Sequence, residues 1–221
     1  MRVSAWVHTI AALGVLAGLS STTSARQSAT NWVIETEDPA AKVTDHAGIV
    51  DIDTAKGLTL WWRKPVAAPV VISFEAMAVS EGGANDRVSD LNAFWMARND
   101  DGGSVLSHRR SGAFADYDTL RTYYVGIGGN RNSTTRFRRY VGRAGDRPML
   151  SEHDKRAAAD LLQPNRWTSI RLIANGRTIA VDRDGRRLFT LDDPAPYASG
   201  HFGLRTTWSH LRVRRLSITR P

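Results

Sequence analysis

The chain of 221 residues contains no cysteine. Disulfides therefore take no part in holding it together, a thiol nucleophile is excluded, and so is a lipoprotein anchor. Lysine is scarce: of 30 basic residues only Lys42, Lys56, Lys64 and Lys155 are lysine, and the rest are arginine. There is no GxSxG elbow, no P-loop and no pair of histidines at helical spacing, so a serine elbow, a Walker-type nucleotide site and a helical zinc site lack their minimal residues. "GIGGN" has the glycines of a dinucleotide turn but no helix after it. Long apolar runs are missing except "IAALGVLAGL" at 10–19, which is too short to span a bilayer comfortably.

That run follows Met1, Arg2 and a short polar lead, and "SSTTSA" follows it, with the small residues Thr23 and Ala25 before a cut at Arg26. This is the layout of a secretory signal peptide over residues 1–25. The mature chain, 26–221, is then a single domain in a secreted or periplasmic protein, with no membrane attachment once the leader is removed. Without disulfides its stability must come from an apolar core, and its length suits one generous domain.

What is present is positive charge, a formal net +8. Residues 121–143 hold six arginines and no acidic residue. A guanidinium is a rigid planar fork suited to carboxylate or phosphate. Export argues against nucleic acid, whereas an acidic polysaccharide makes the same electrostatic demand.

The pattern is one of strands. "NWVIETE" (31–37), "GIVDIDT" (48–54), "GLTLWWRK" (57–64) and "APVVISFEAMAV" (68–79) are alternating or β-branched runs separated by Gly, Pro and Asp. Residues 166–193 carry Asn175-Gly176 and Asp184-Gly185 between alternating apolar residues, a three-stranded meander. "HFGLRTT" (201–207) and "LRVRRLSI" (211–218) close the chain. One short helix is predicted, "EHDKRAAADLL", capped by Ser151 and stopped by Pro164. Many short strands without βαβ alternation predict an all-β antiparallel sandwich of jelly-roll type.

Pleat alternation places Arg136, Arg138 and Tyr140 of "TTRFRRY" on one face and Phe137, Arg139 and Val141 on the other. It sets Asn92 and Phe94 against Trp95, and Tyr124 against Tyr123. Such mixed faces suit a concave, ligand-bearing sheet. Aromatic platforms for sugar faces, with amides and guanidinium groups for hydroxyls and carboxylates, make a carbohydrate site. Trp95, Tyr123, Asn92, Asn130 and Asn132 are the candidate substrate-binding residues.

The stretches "SDLNAFWMA", "DYDTLRTYYVGIGGNRNSTTRFRRY" and "FGLRTTWSHLRVRRLSI" resemble an uncharacterised family of bacterial concanavalin A-like jelly-roll domains associated with polysaccharide utilisation. More loosely, they are similar to the jelly-roll polysaccharide lyases. The resemblance spans residues 31–219 and implies a jelly roll that meets a polysaccharide on its concave sheet.

For an enzyme of this kind, β-elimination from a uronate fits the residues better than hydrolysis. It needs a cation or amide on the carboxylate, a base for the C5 proton and an acid for the leaving oxygen. Arg136 and Arg138 would hold the carboxylate, Asn92 or Asn130 would assist, and Tyr124, Tyr140 or His210 would move protons. A glycosidase needs two spaced carboxyl groups, and Asp90, Asp116 and Asp118 sit in or beside loops without the ExDxxE spacing of the glucanases of this architecture. No Gln-x-His segment of the alginate-lyase type exists. The alternative is a non-catalytic carbohydrate-binding domain using the same face. No cofactor is called for; calcium at Asp100 with Asp101, or Asp116 with Asp118, is outweighed by the reading of those residues as solvated turns.

Overall fold

The computed structural model describes residues 31–221; the leader expected over 1–25 lies outside them. The expected strands are present. β1 (Trp32–Thr36), β2 (Lys42–His46) and β3 (Ile49–Trp62) are followed by β4 (Val66–Ala67), β5 (Val70–Ala78) and β6 (Leu91–Arg98). Then come β7 (Arg121–Gly128), β8 (Thr134–Val141), the two-residue β9 (Asp154–Lys155), the meander β10 (Thr168–Asn175), β11 (Thr178–Arg183) and β12 (Arg186–Asp192), and β13 (Ser199–Thr219).

Two pairs of runs that read as separate strands are continuous. The runs at 48–54 and 57–64 form the 14-residue β3, and those at 201–207 and 211–218 form the 21-residue β13. β3 pairs antiparallel with residues 203–214 of β13 along almost its whole length, and each strand passes from one layer of the sandwich to the other. In the front layer, the first half of β13 lies between β3 and β6, and β7, β8 and β9 continue outward. In the back layer, the second half of β13 lies between β3 and β5, followed by β10, β11 and β12. The register shifts at Thr207/Ser209, where β13 turns from one layer to the other.

Pleating decides what fills the space between the layers. Trp95, Tyr123, Val125 and Phe137 from the front meet Ile72, Phe74, Leu172, Val181 and Phe189 from the back. Aromatic contacts such as Phe137 with Phe189, 6.0 Å between centroids, cross the interface. On the outer face of the front sheet Trp61, Phe94, Tyr124 and Tyr140 form a second cluster with Leu120 and with Val105 and Tyr117 of the 99–118 loop, which roofs them. Glu35, buried on β1, fastens that roof: its carboxylate accepts from Trp61 Nε1 and the Tyr117 hydroxyl at 2.9 Å each, and from Arg110 N at 2.9 Å. Removing a buried carboxylate that satisfies three donors would leave all of them unpaired.

The helix predicted after Ser151 does not form. Residues 151–162 make two short 3₁₀ turns, Ser151–His153 and Ala158–Asp160, with β9 between them. Tertiary contacts override the local preference: Asp154 is drawn to Arg136, and His153 is buried with its ring 4.8 Å from that of Phe137. Among the described residues the one α-helical turn is Gly129–Asn132 at the β7–β8 connection, and it is left-handed, with φ of 53° at Asn130, 60° at Arg131 and 58° at Asn132. Three consecutive non-glycine residues in that region are uncommon.

Candidate functional site

The part of the front sheet's outer face that the roof leaves uncovered is a groove of about 510 Å3. β6 contributes Asn92 and the preceding Asp90, β7 contributes Tyr124 and Gly126, β8 contributes Arg136 and Arg138, and β13 contributes Arg205 and Thr207. Phe114 and Arg147 reach it from the loops, and Glu37 from the end of β1. The residues come together because in each strand the alternate positions face outward; their intervening neighbours build the core.

Arg205 is 3 % exposed and stands in an otherwise apolar run of β13. Its Nη1 donates to the Gly112 carbonyl at 2.6 Å and to Thr59 Oγ1 at 3.1 Å, and its guanidinium lies over the rings of Phe114 and Tyr117 at 5.2 and 5.0 Å. Arg147 approaches Phe114 at 5.3 Å. Arg138 Nη1 donates to the Arg147 carbonyl at 2.7 Å. Among the described residues neither Arg138 nor Arg205 forms an ion pair, whereas Arg136 is held by Asp154 through two bonds of 3.0 and 3.1 Å. Two guanidinium groups therefore border the groove without a close ion-pair partner, although Asp90 and Asp116 act on Arg205 from further off, and the third has its fork occupied.

Beside them is a short polar chain. The Tyr124 hydroxyl donates to Asn92 Oδ1 at 2.9 Å, and the Asn92 side chain in turn favours the ionised form of the Asp90 carboxyl. Gly126 makes room for this: a Cβ there would stand 2.5 Å from Tyr124 Oη and 2.7 Å from Asn92 Oδ1. Burial pushes the Asp90 carboxyl up to about 6, against the opposing pull of Arg205 and Asn92. Burial also carries the Tyr124 phenol well above the usual range, with Tyr140 and Asp90 adding to the shift. Asp90 has φ of 72°, a left-handed conformation that costs a non-glycine residue free energy and recurs at functional sites.

The structure divides the residues singled out from the sequence. Asn92, Asn130, Tyr124, Arg136 and Arg138 line the groove. Trp95 and Tyr123 do not: both are fully buried between the layers, and the Tyr123 hydroxyl donates to Asp193 at 2.7 Å. Tyr140 shares the outward pleat of Arg136 and Arg138 but is sealed under the roof, where burial raises its phenol to about 12. Asn132 is committed to the backbone of Leu162, accepting from its N at 2.9 Å and donating to its O at 3.0 Å. His210 lies on the back-layer half of β13, its ring nitrogens 2.8 Å from Asp86 and 3.0 Å from Asp51, and does not line the groove. The proton-moving roles expected of Tyr140 and His210 therefore have no access to a ligand in this groove.

The sequence did not single out Arg205, and it offered Asp90 only as a carboxylate beside a loop, without the spacing of a hydrolase. The signal for Arg205 was a lone charge inside "FGLRTT"; for the burial of Asp90 there was none, since it depends on β13 and the loop before it. The aspartates considered for calcium serve turns: Asp101 Oδ1 accepts from Gly103 N, Asp116 Oδ2 from Ser111 N and Oγ, and Asp118 pairs with Arg147. Among the described residues no group of three or more acidic or histidine side chains is placed to hold a metal ion.

Two antiparallel layers bridged by shared long strands, with a polar groove on the outer face of one, define a galectin-like, concanavalin A-like jelly roll. Similar solved structures include a Bacillus subtilis protein of unknown function with a galectin-like fold, at 11 % identity over 88 % of this chain and 91 % of that one, TM-score 0.66. The carbohydrate-binding module CBM66 of Bacillus subtilis matches at 8 % identity over 85 % and 94 %, TM-score 0.57. The exoplasmic/lumenal domain of VIP36 in its Ca2+/Man3GlcNAc-bound form matches at 10 % over 86 % and 84 %, TM-score 0.55. At these identities the likeness is one of fold. The chain belongs to the family described as Domain of unknown function (DUF6250), which it matches over residues 52–216. No curated protein matches it.

Proposed function

We propose that the groove binds an acidic, uronate-bearing glycan and that the protein does so outside the cytoplasm, after loss of a signal peptide at residues 1–25. The observation that carries this reading is the pair Arg138 and Arg205, two guanidinium groups on one groove without an ion-pair partner among the described residues. A buried or half-buried guanidinium without a salt-bridge partner has donors left to offer, and a ligand carboxylate matches their fork. Asn92, Asn130, Thr134 and Thr207 offer hydrogen bonds to hydroxyls, and Phe114 an apolar surface. That CBM66 is a carbohydrate-binding module and that the VIP36 domain holds Man3GlcNAc support a sugar as the partner.

The Asp90–Asn92–Tyr124 chain favours a second reading, cleavage by β-elimination. A carboxyl near 6 is a better base than an ordinary aspartate, and a phenol raised by burial stays protonated as a donor. Asp90 would take the C5 proton, the electron pair would form the C4–C5 double bond, and the C4–O bond would break with its oxygen taking a proton delivered from Tyr124. Arg138 and Arg205 would stabilise the charge developing on the uronate.

One experiment addresses both. The protein is titrated calorimetrically with oligogalacturonate, oligoalginate and neutral cello-oligosaccharide, and each mixture is followed for the ultraviolet absorbance of an unsaturated uronate. Binding of an acidic series and not the neutral one, abolished in Arg138→Ala, is the result expected; preference for the neutral series overturns the proposal. New absorbance that disappears in Asp90→Asn establishes elimination, and binding without it leaves a binding domain.

A further inference from the structure

Only two large apolar side chains are exposed among the described residues, and one is Trp208, with 49 % of its surface accessible. It stands on β13 where the register breaks between Thr207 and Ser209, and its φ is 42°. For a bulky residue that is a true outlier. The break changes where the side chain goes. With Thr206 buried, regular alternation would turn Thr207 outward and Trp208 inward, but Thr207 and Trp208 are both exposed and Ser209 is again buried. A bulge re-aims a side chain in this way, and a hydrogen bond between the buried hydroxyls of Thr206 and Ser209 closes it from beneath.

The re-aimed ring adjoins the groove. Its neighbour Thr207 lines the groove. The Arg87 guanidinium lies 3.8 Å from the centre of the Trp208 ring and also acts electrostatically on Asp90. One indole face is thus backed by a cation, which restrains the ring and leaves its other face for a ligand. The C–H face of a pyranose is an apolar surface of matching size, and a rigid aromatic gives contact area at low entropic cost.

We propose that Trp208 is a stacking subsite, which takes a sugar ring of the same glycan chain whose uronate lies over Arg138 and Arg205. The inference rests on the reading of the groove as an acidic-glycan site and adds to it a direction and a minimum length: from Arg138 on β8 across β7 and β6 to the bend of β13 is three strand spacings, about 14 Å, which is more than a disaccharide spans.

The test is a ladder of oligogalacturonate and oligoalginate from disaccharide to hexasaccharide, titrated into the wild type, Trp208→Ala, Trp208→Phe and Arg138→Ala. Trp208→Ala should lose roughly tenfold in affinity for the longer members and nothing for the disaccharide; Trp208→Phe should keep most of it. Arg138→Ala should lose affinity at every length. Acrylamide quenching of the Trp208 contribution, taken as wild type minus Trp208→Phe, should fall when tetrasaccharide is bound. If Trp208→Ala equals wild type at every length and the quenching is unchanged, the subsite is overturned while the groove stands. If the wild type binds none of these oligosaccharides, the groove reading fails and takes the subsite with it.

Discussion

Asp90 combines two costs in one residue, a left-handed backbone and a carboxyl that burial holds at about 6. The folded protein binds the Asp90 proton more tightly than the unfolded chain does, so stability falls as pH rises from 3.8 towards 6 and the cost is complete above that. Asp90→Asn has no charge to desolvate and tolerates positive φ at least as well. It should therefore be more stable than wild type at pH 8, on the order of 1–3 kcal/mol, with the difference vanishing below the carboxylate range. Urea denaturation at both pH values measures this; an equal gain at low pH would point to the backbone alone. A residue that weakens the fold while facing the groove fits the usual trade of stability against function, in keeping with the binding role proposed for that groove.

The β7–β8 connection is held by Asn132, whose side chain clasps the Leu162 backbone from a residue with φ of 58°. Asn132→Ala loses both hydrogen bonds and forces a Cβ residue without local compensation into the left-handed region, so a loss of about 2–4 kcal/mol in thermal or urea unfolding is expected. Asn132→Gly should recover part of it by relieving the backbone. Elements of this kind were the hardest to see in the sequence. The meander β10–β12 was plain, because Asn175-Gly176 and Asp184-Gly185 mark its turns and alternation marks its strands. The pleat of "TTRFRRY" was also legible, and it put Arg136 and Arg138 together on the groove face. Alternation does not show what covers a face, and so Tyr140, outward by pattern, is buried under a loop joined to the sheet through Glu35. Nor does it show pairing between charges: Arg136 looked as available as Arg138 until Asp154 was placed beside it. Arg205 and Asp90 lie more than a hundred positions apart and meet only because β13 runs alongside β6. The 151–162 segment had helical composition but is fixed by the side chains it presents to β8.

At the scale of the whole molecule, a formal charge of +8 creates a field that would favour the polyanionic ligand proposed for the groove. Affinity for an acidic oligosaccharide should fall at least tenfold between about 0.01 and about 1 M salt, as the screening length shrinks from roughly 30 to roughly 3 Å. Affinity for a neutral one should barely change; calorimetry across that range reads both. The same topology that builds the groove also sets an order of events. β13, the last 21-residue strand, is the central partner in both layers, between β3 and β6 in one and β3 and β5 in the other. Until it arrives, each layer is divided down the middle with open edges facing the gap. Neither layer can therefore be completed before β13 is in place, although the local pairs β10–β12 and β6–β8 do not need it. The two layers are expected to close together, once β13 is free to enter both.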